Sequence, residues 1–529
     1  MSDPQKSFSI AANNNSSSAK QKIGLGLGLA GFFIMLLALV NVNFSNKTLW
    51  LSISIAAIII GVIIYANAMY LNKPAGIQMN GIWFKSISSR GMLGWSAGII
   101  LTLFYVILYW YPQYLGFNDK GANTGLVSFF DPLSKMLNGK PATQWFVYGT
   151  FYTVAILSFG YKFILKYRHN KYEILRTISV MFFQLGFAFL IPEILSKLNP
   201  DKPYFSKDLK NMWPLNYSFF EDWHLKNMLD GGHLGMFMLL FGIAMIFLIS
   251  PFLTYFYGKR WYCSWVCGCG GLAETAGDSF RHLSDKSTKA WKFERWSIHT
   301  VLVFVFVMTV TVLFGFLSND PGKSIITRNE FTFGIVIFLT VLIGGLYFFK
   351  RKNMDKDAVF TMLALGIAMI IIILINYFSG NDKIFFIDQY KLMSWYGFAI
   401  GAVFSGVIGV GFYPIMGSRV WCRFGCPMAA VLGLQQRLFS RFRITTNGGQ
   451  CISCGNCSNA CEMGIDVRAY AQKGENIVRS SCVGCGICSA VCPRGVLKLE
   501  NGKEEGRING DAVLLGNDPI ILKLMKEEK

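Results

Sequence analysis

Charged residues are scarce in this sequence. Only 15% of its 529 residues are Asp, Glu, Lys or Arg, whereas 53% are hydrophobic. A soluble globular chain usually carries about 25% charged residues. The apolar residues also come in runs of about 20, the length that a helix needs to cross the hydrocarbon of a bilayer. The deficit excludes a soluble cytosolic enzyme and predicts the lipid bilayer as a partner.

Histidine is also rare. The chain has five, at positions 169, 224, 233, 282 and 299, and none belongs to a Cys-x-x-Cys-His haem-attachment motif. A membrane b-type haem needs two axial ligands at a similar depth, whereas His233 and His299 fall at opposite ends of consecutive apolar segments. The sequence therefore predicts no haem.

Cysteine is absent from the first 262 residues, and all 13 cysteines lie between Cys263 and Cys492. A disulfide scaffold would belong to a small secreted chain. Thirteen clustered cysteines in a large membrane protein instead indicate metal ligation on the reducing side of the membrane.

Acidic residues are outnumbered, since 50 Lys and Arg against 30 Asp and Glu give a formal charge of +20. No basic stripe lies on a polar domain, so we predict no nucleic-acid partner. The basic residues gather instead in alternate loops between the apolar segments, as the positive-inside rule requires. This pattern predicts a multi-pass protein of the bacterial inner membrane, with both termini and both cysteine regions in the cytoplasm and loops 116–144 and 199–232 outside.

Ten apolar segments are long enough to span the membrane. They run approximately over 23–43, 49–70, 92–115, 145–166, 175–198, 233–257, 297–318, 330–349, 357–379 and 394–417.

Two cysteine runs of the form C-x2-C-x2-C-x3-C stand near the C-terminus. The first consists of Cys451, Cys454, Cys457 and Cys461, and the second of Cys482, Cys485, Cys488 and Cys492. This is the spacing of a bacterial two-cluster ferredoxin, in which the fourth cysteine of each run ligates the other cluster. The spacing therefore predicts two [4Fe–4S] clusters, one held by Cys451, Cys454, Cys457 and Cys492 and the other by Cys482, Cys485, Cys488 and Cys461.

Zinc is the alternative to iron–sulfur clusters, but a tetrahedral zinc site needs only four ligands and favours paired C-x2-C knuckles, whereas these two runs hold eight cysteines.

Other residues in and next to the two runs would support the clusters. Glycines 455, 484 and 486 would let the backbone approach the cluster sulfurs, and Arg479 and Arg494 would offset the negative charge of the clusters. Cys461 is followed by Glu462, where such runs often have proline.

A ten-residue repeat with an offset of 159 residues contains two further cysteine pairs, Cys263/Cys267 and Cys422/Cys426. In both copies a glycine, an arginine and aromatic residues coincide as well. At spacing i, i+4 on a helix end, two thiols share a face, so the copies could meet in a four-thiolate site or form two redox dithiols. The alternative is that these cysteines have no chemical role and are buried in the core as small apolar side chains. Cys269 has no counterpart in the second copy and is interpreted as incidental.

The predicted fold class is an all-α polytopic membrane protein of about ten transmembrane helices with a small C-terminal α+β two-[4Fe–4S] ferredoxin domain. The predicted segments are a disordered tail (1–21), an N-terminal transmembrane region of about five helices (22–232), a core with both Cys-x3-Cys motifs (233–440), the ferredoxin domain (441–500) and a charged tail (501–529).

Together these motifs resemble the membrane polyferredoxins, a group that includes the NapH quinol-dehydrogenase component, NosR-type maturation proteins and the oxidase accessory protein CcoG. The resemblance covers roughly 233–500, with a full Cys-x3-Cys-Pro motif at Cys426-Pro427 and Gly268 replacing proline in the first copy. It implies electron transfer through the clusters between a quinone or cytoplasmic donor and a membrane or periplasmic respiratory partner. The alternative is a metal reductase, with copper as substrate, that matures a respiratory oxidase or reductase.

Overall fold

The computed structural model describes residues 18–71, 87–200, 212–319, 326–350 and 356–502, and this part of the chain is mostly helical. Up to residue 408 the helices, long and short, are numbered in chain order. They are α1 (Ala19–Leu39), α2 (Lys47–Tyr70), α3 (Met92–Trp110), α4 (Gly125–Asn138), α5 (Gln144–Lys166), α6 (Lys171–Leu198), α7 (Asp222–Asp230), α8 (Gly232–Tyr257), α9 (Arg260–Cys263), α10 (Gly268–Thr275), α11 (Thr288–Asn319), α12 (Arg328–Lys350), α13 (Lys356–Phe378) and α14 (Gln389–Ile408).

Nine helices in the described part of the chain are long and apolar enough to cross a membrane: α1, α2, α3, α6, α8, α11, α12, α13 and α14. They coincide with nine of the ten predicted spans. The predicted tail at 1–21 falls mainly on residues outside the described part, although α1 already begins at Ala19. Its N-terminus is capped by Ser18, whose hydroxyl accepts from the Gln21 amide in a capping box.

The tenth predicted span, 145–166, is a continuous helix of 23 residues, α5, but it is not apolar enough to count among the candidates. At about 1.5 Å per residue it is long enough to cross the hydrocarbon. Its polar side chains include the buried Thr150, Thr153 and Ser158. Because α5 packs against α2, α6 and α10, these hydroxyls face protein rather than lipid.

The repeat found in the sequence is also a structural repeat. In each copy, a membrane helix containing a π-helical segment (Met245–Ile249 in α8, Gly397–Ile408 in α14) is followed by a glycine with positive φ. These glycines are Gly258 (φ 64°) and Gly417 (φ 97°). A short turn of helix and then a longer helix follow, so both copies turn the chain back sharply at the same end of the membrane core.

In the second copy α15 (Tyr413–Met416) precedes Gly417, and α16 (Pro427–Phe439) follows Cys426 and leads into the C-terminal domain. There β1 (Arg443–Thr446) pairs antiparallel with β2 (Leu497–Glu500), and three short helices lie between them: α17 (Asn456–Asn459), α18 (Val467–Lys473) and α19 (Ile487–Ala490). The predicted charged tail lies outside the described residues from 503 onward.

A single buried core joins the membrane part to the C-terminal domain. It runs from Val305 and Met308 on α11, through the four cysteines of the repeats, to Ile444 and Ile465 in the C-terminal domain. A second contact, made by Phe163 and Tyr167 with Ile487 and Val491, joins α5 to α19. The C-terminal domain is therefore packed directly on the membrane part and is not tethered by a free linker.

Candidate metal centres

The first predicted ligand set surrounds one cavity. Cys451, Cys454, Cys457 and Cys492 all line it, together with Arg468 and Arg494. Cys461, the fourth cysteine of the first run, does not line this cavity, whereas Cys492 from the second run does. The chain thus brings together the four thiols that the crossed arrangement requires, and their soft sulfur donors fit a [4Fe–4S] cluster.

The second predicted set is gathered as well. Burial, followed by the neighbouring thiols Cys485, Cys482 and Cys461, raises the pKa of the Cys488 thiol. Burial likewise raises the pKa of Cys461, and the nearby backbone amides of Ile465 and Met463 lower it in part. Backbone N–H donors aimed at sulfur are what an anionic thiolate cluster uses for stabilisation.

The glycines of the two runs have the backbone freedom that the sequence predicted. Gly455 (φ 78°), Gly484 (φ 61°) and Gly486 (φ 91°) all lie in the left-handed region, where side chains with a Cβ are strained. At Gly484 a Cβ would lie 2.8 Å from the Cβ of Arg260, which belongs to the first repeat copy. This glycine therefore allows the second ligand loop to pack closely on the membrane core.

The Cys-x3-Cys pairs do not share a helix end as the sequence analysis assumed. Cys263 ends α9, but Cys267 has an extended backbone and is the N-cap of α10. Cys422 lies in a π-helical turn, and Cys426 is the N-cap of α16, with its sulfur accepting from the Ala429 amide at 3.4 Å. The thiol of each second cysteine thus sits at the positive end of a helix dipole, which favours a thiolate.

These four cysteines, which we call the four-thiol site, belong to one buried group. Burial raises the pKa of Cys263 to about 12, with Lys259 opposing it and the thiols of Cys422 and Cys267 adding to it. Burial and then Cys422, Cys263 and Cys267 raise the pKa of Cys426. The two repeat copies thus meet at their cysteines, which share one buried core where the membrane helices end.

A fifth thiol lies beside the four-thiol site. A hydrogen bond with Cys267, followed by burial, raises the pKa of Cys269 well above its ordinary value. Its position in the repeat is taken by Met428 in the second copy.

Two short contacts link the four-thiol site to the second ligand set. The hydroxyl of Ser264, next to Cys263, donates to the carbonyl of Val483, next to Cys482, at 2.9 Å. In the other copy, Arg419 donates to the Cys422 sulfur at 3.5 Å and to the Glu462 carboxylate, next to Cys461, at 2.9 Å. Each repeat copy therefore contacts a residue adjacent to a ligand of the second set.

Glu462 is the residue that stands where ferredoxin runs often have proline, and the structure gives it a role. It is fully buried, accepts a hydrogen bond from Arg419, and forms an ion pair with Arg281 at 2.8 Å. These two cations hold the pKa of Glu462 below its usual value although burial alone would raise it. A proline could not supply this charge. The sequence alone showed that Glu462 replaces the usual proline but did not indicate this role.

The ion pairs extend into the N-terminal helices. Asp278 pairs with Arg281 at 2.8 Å and with Lys166, at the end of α5, at 2.6 Å. Glu274 on α10 contacts both Arg419 and Arg176, and Arg176 also pairs with Glu173 on α6. Tyr172 adds a hydrogen bond to the carbonyl of Gly484 at 2.9 Å. The N-terminal region thus helps to hold the cysteine loops, which no local sequence pattern had revealed.

Of the two arginines predicted near the clusters, Arg494 lines the first cavity. Arg479 lies over the ring of Trp291, at 5.1 Å from its centroid, and its carbonyl accepts from Gln436. Gln436 also donates to the Cys482 carbonyl at 2.9 Å and accepts from the Lys259 amide. This glutamine ties the second ligand loop to both repeat copies.

Comparison with known proteins agrees with this geometry. A family model described as a 4Fe-4S dicluster domain matches residues 450–497, and a model described as a 4Fe-4S binding domain matches twice, at 239–287 and 397–445. These matches cover less than a third of the chain, and the membrane helices add to them. The chain fits a membrane polyferredoxin. The two copies of the second match contain the two halves of the four-thiol site.

A short segment of the chain also resembles a curated protein of Escherichia coli (strain K12) named "Putative electron transport protein YccM". The two are 41% identical over 49 residues, which is 9% of this chain and 13% of the relative. The match therefore spans about an eighth of the relative's length. No solved structure matches the chain.

Proposed function

We propose that this polyferredoxin transfers electrons through two [4Fe–4S] clusters and the four-thiol site, between a quinone or cytoplasmic donor and a respiratory partner in the membrane or periplasm. The name of YccM, which assigns that protein to electron transport, agrees with this function. The observation that carries the proposal is the pair of links from the four-thiol site to the second ligand set, through Ser264 and through Arg419.

The residues have distinct roles in this proposal. Cys451, Cys454, Cys457 and Cys492 would hold one cluster, and Cys482, Cys485, Cys488 and Cys461 the other. Bound clusters supply one-electron centres. Arg419 and Arg281 place positive charge beside the second set, while Glu462 keeps the buried charges in balance. Cys263, Cys267, Cys422 and Cys426 would carry electrons onward, as ligands of a metal or as redox thiols.

Sidedness belongs to the proposal too. Lys and Arg are concentrated in the loops on the ferredoxin side, which favours the cytoplasm for this side and for both termini. That assignment needs ten crossings, with α5 among them. The absence of haem stays a prediction.

A vesicle assay tests the function. The full chain is reconstituted in vesicles that contain ubiquinone in the bilayer and ferricyanide in the lumen, and dithionite, which does not cross the bilayer, is added outside. Protein-free vesicles of the same composition give the background rate. We expect the wild type to bleach the trapped ferricyanide, and the variant with Cys422→Ser and Cys426→Ser to lose this activity while it keeps both ferredoxin clusters by EPR. Serine nearly preserves the volume of cysteine but is a much poorer ligand for soft metals. The corresponding double change at Cys263 and Cys267 should give a similar loss.

Two results would contradict the proposal. If the double variants bleach ferricyanide as fast as the wild type, the four-thiol site is not on the path. If no protein bleaches ferricyanide although dithionite reduces its clusters, electrons do not cross the membrane part.

The second candidate is reduction of copper for the assembly of a partner enzyme. It is favoured by the buried thiols of the four-thiol site, because thiolates are among the soft ligands that Cu(I) prefers. In this case one electron from the clusters would convert Cu(II) to Cu(I). Anaerobic protein should then retain added copper, and the change of Cys422 and Cys426 to serine should abolish retention. Unchanged copper retention in that variant would eliminate this candidate.

A further inference from the structure

The two ligand sets differ in their access to solvent. In the first set Cys454 is exposed, and the neighbouring Ile452 has 58% of its surface exposed. In the second set Cys482 and Cys488 are buried, and their loop faces the membrane core through the Ser264–Val483 contact. The first set thus lies at the solvent-exposed end of the proposed electron path, which we call the outer end. The second set lies at the end next to the membrane part, which we call the inner end.

The outer end has a defined shape. Ser453 has a positive φ of 57°, and its hydroxyl accepts from the Gln472 amide at 2.8 Å, which fixes the turn that presents Ile452. This turn places an apolar side chain on the surface beside the exposed Cys454.

Two arginines flank this turn. Arg468 and Arg494 line the same cavity as the first ligand set and are both exposed, and among the described residues no carboxylate lines that cavity. Within the described part of the chain, neither guanidinium makes an ion pair. Free arginines beside an exposed apolar residue favour an acidic protein surface and speed its association.

We propose that Ile452, Cys454, Arg468 and Arg494, which we call the outer edge, form the docking face for a small acidic electron carrier of the cytoplasm. The proposal rests on the electron-transfer function, because the docked carrier is oxidised by one electron as the first cluster is reduced by one. No bond forms or breaks and no proton need move. The expected contact is small and transient, as redox encounters usually are, with less than about 1,200 Å² buried.

The test uses the full chain in nanodiscs and flavodoxin, an acidic one-electron flavoprotein, as the probe. Two quantities are measured: the Kd of oxidised flavodoxin, and the second-order rate at which photoreduced flavodoxin reduces the polyferredoxin. We expect both to depend on salt, because screening weakens attraction between exposed charges. In the variant with Arg468→Glu and Arg494→Glu, Kd should rise at least tenfold and the rate should fall by a similar factor.

The matched control reverses two exposed lysines at the start of α11, Lys289→Glu and Lys292→Glu, which lie away from the first cavity. It changes the net charge equally and should leave Kd and rate near the wild-type values. The iron content should be unchanged in both variants, which shows that the clusters are intact. Because Arg468 and Arg494 border the first ligand set, their reversal should lower the reduction potential of that cluster. Docking is therefore judged by the Kd of oxidised flavodoxin, which does not depend on that potential.

Equal effects in both variants would show that only net charge matters and would overturn the docking face. Salt-independent reduction, or failure of flavodoxin to bind or reduce the wild type, would also overturn it. The vesicle assay with dithionite does not need a carrier, so it can fail while docking succeeds, and the reverse. The two proposals are therefore tested separately.

Discussion

Arg419 and Glu462 form an ion pair in which the Nε and Oε1 atoms are 2.9 Å apart and neither side chain is exposed to solvent. Arg419 follows the second membrane repeat's glycine, whereas Glu462 lies in the ferredoxin domain, next to Cys461. The same guanidinium also donates to the Cys422 sulfur. One side chain thus contacts both the four-thiol site and the second ligand set, in a place where water cannot screen its charge.

Arg419→Gln should therefore have two effects. It leaves buried carboxylates without their cation, which typically costs about 3–5 kcal/mol of stability. It should also make the second cluster harder to reduce, because a positive charge nearby is lost. Thermal unfolding and an EPR redox titration measure these effects.

Glu462→Gln provides the control for a purely structural role. It should also destabilise the protein, but its loss of negative charge should shift the reduction potential upward. If both variants shift the potential in the same direction, Arg419 and Glu462 only hold the domain in place and do not set the potential.

The crossed ligand sets lead to a paired prediction on single cysteines. Cys461→Ser should remove the inner cluster and Cys492→Ser the outer one, so that each variant keeps about four iron atoms instead of about eight. The cluster that remains in the Cys461 variant borders solvent at Cys454, so a chelator should extract its iron faster. Iron analysis over time after addition of chelator checks this. Faster extraction from the Cys492 variant would mean that the assignment is reversed.

Asp278→Asn tests the attachment of the N-terminal helices. Burial would raise the pKa of Asp278, but Lys166 and Arg281 hold it below its usual value. A carboxyl whose pKa is lowered by folding stabilises the protein above its unfolded pKa of about 3.9 and loses this effect as the pH falls toward the folded value. The variant should be less stable by about 3–5 kcal/mol, and this difference should be constant between about pH 6 and 8. Thermal unfolding across that range measures it, and a difference that grew or vanished there would contradict the ionised state.

The cysteines and the repeat could be predicted from sequence because their spacing is local. Three thiols within seven residues are a signature by themselves, and so is a glycine, arginine and cysteine pattern that returns after 159 residues. The Arg419–Glu462–Arg281 group could not be predicted in this way. Its members come from three separate segments, and each alone is compatible with an ordinary solvated charge.

The helix α5 is harder to assign from sequence for a different reason. Its length and apolar residues suggest a span, yet its tyrosines, its threonines and Ser158 lower its mean hydropathy. Neighbouring helices surround these polar side chains, so they are not exposed to lipid, and an enclosed helix can cross the membrane with a lower mean hydropathy.

Reporter fusions therefore settle both the number of crossings and the side of the ferredoxin domain. Alkaline phosphatase, which is active only outside the cytoplasm, should be active when fused in the 116–144 loop and inactive after residue 529. A fusion after His169, which follows α5, should be inactive if α5 crosses. Activity after residue 529 would place the ferredoxin domain outside and would exclude a cytoplasmic carrier as its donor.

Cys269 gives the last prediction, because it separates a role in the site from mere proximity to it. Its thiol hydrogen-bonds to Cys267 and lies in the same buried region, but the second repeat copy has Met428 at this position. A site built by two related copies needs the four cysteines that both copies share. Cys269→Ala should therefore leave ferricyanide bleaching within about twofold of the wild type, which corresponds to less than about 0.5 kcal/mol in barrier height. Cys267→Ala should reduce bleaching strongly while the ferredoxin EPR signals remain. If the alanine change at Cys269 is as damaging as the change at Cys267, the site is asymmetric and uses five thiols.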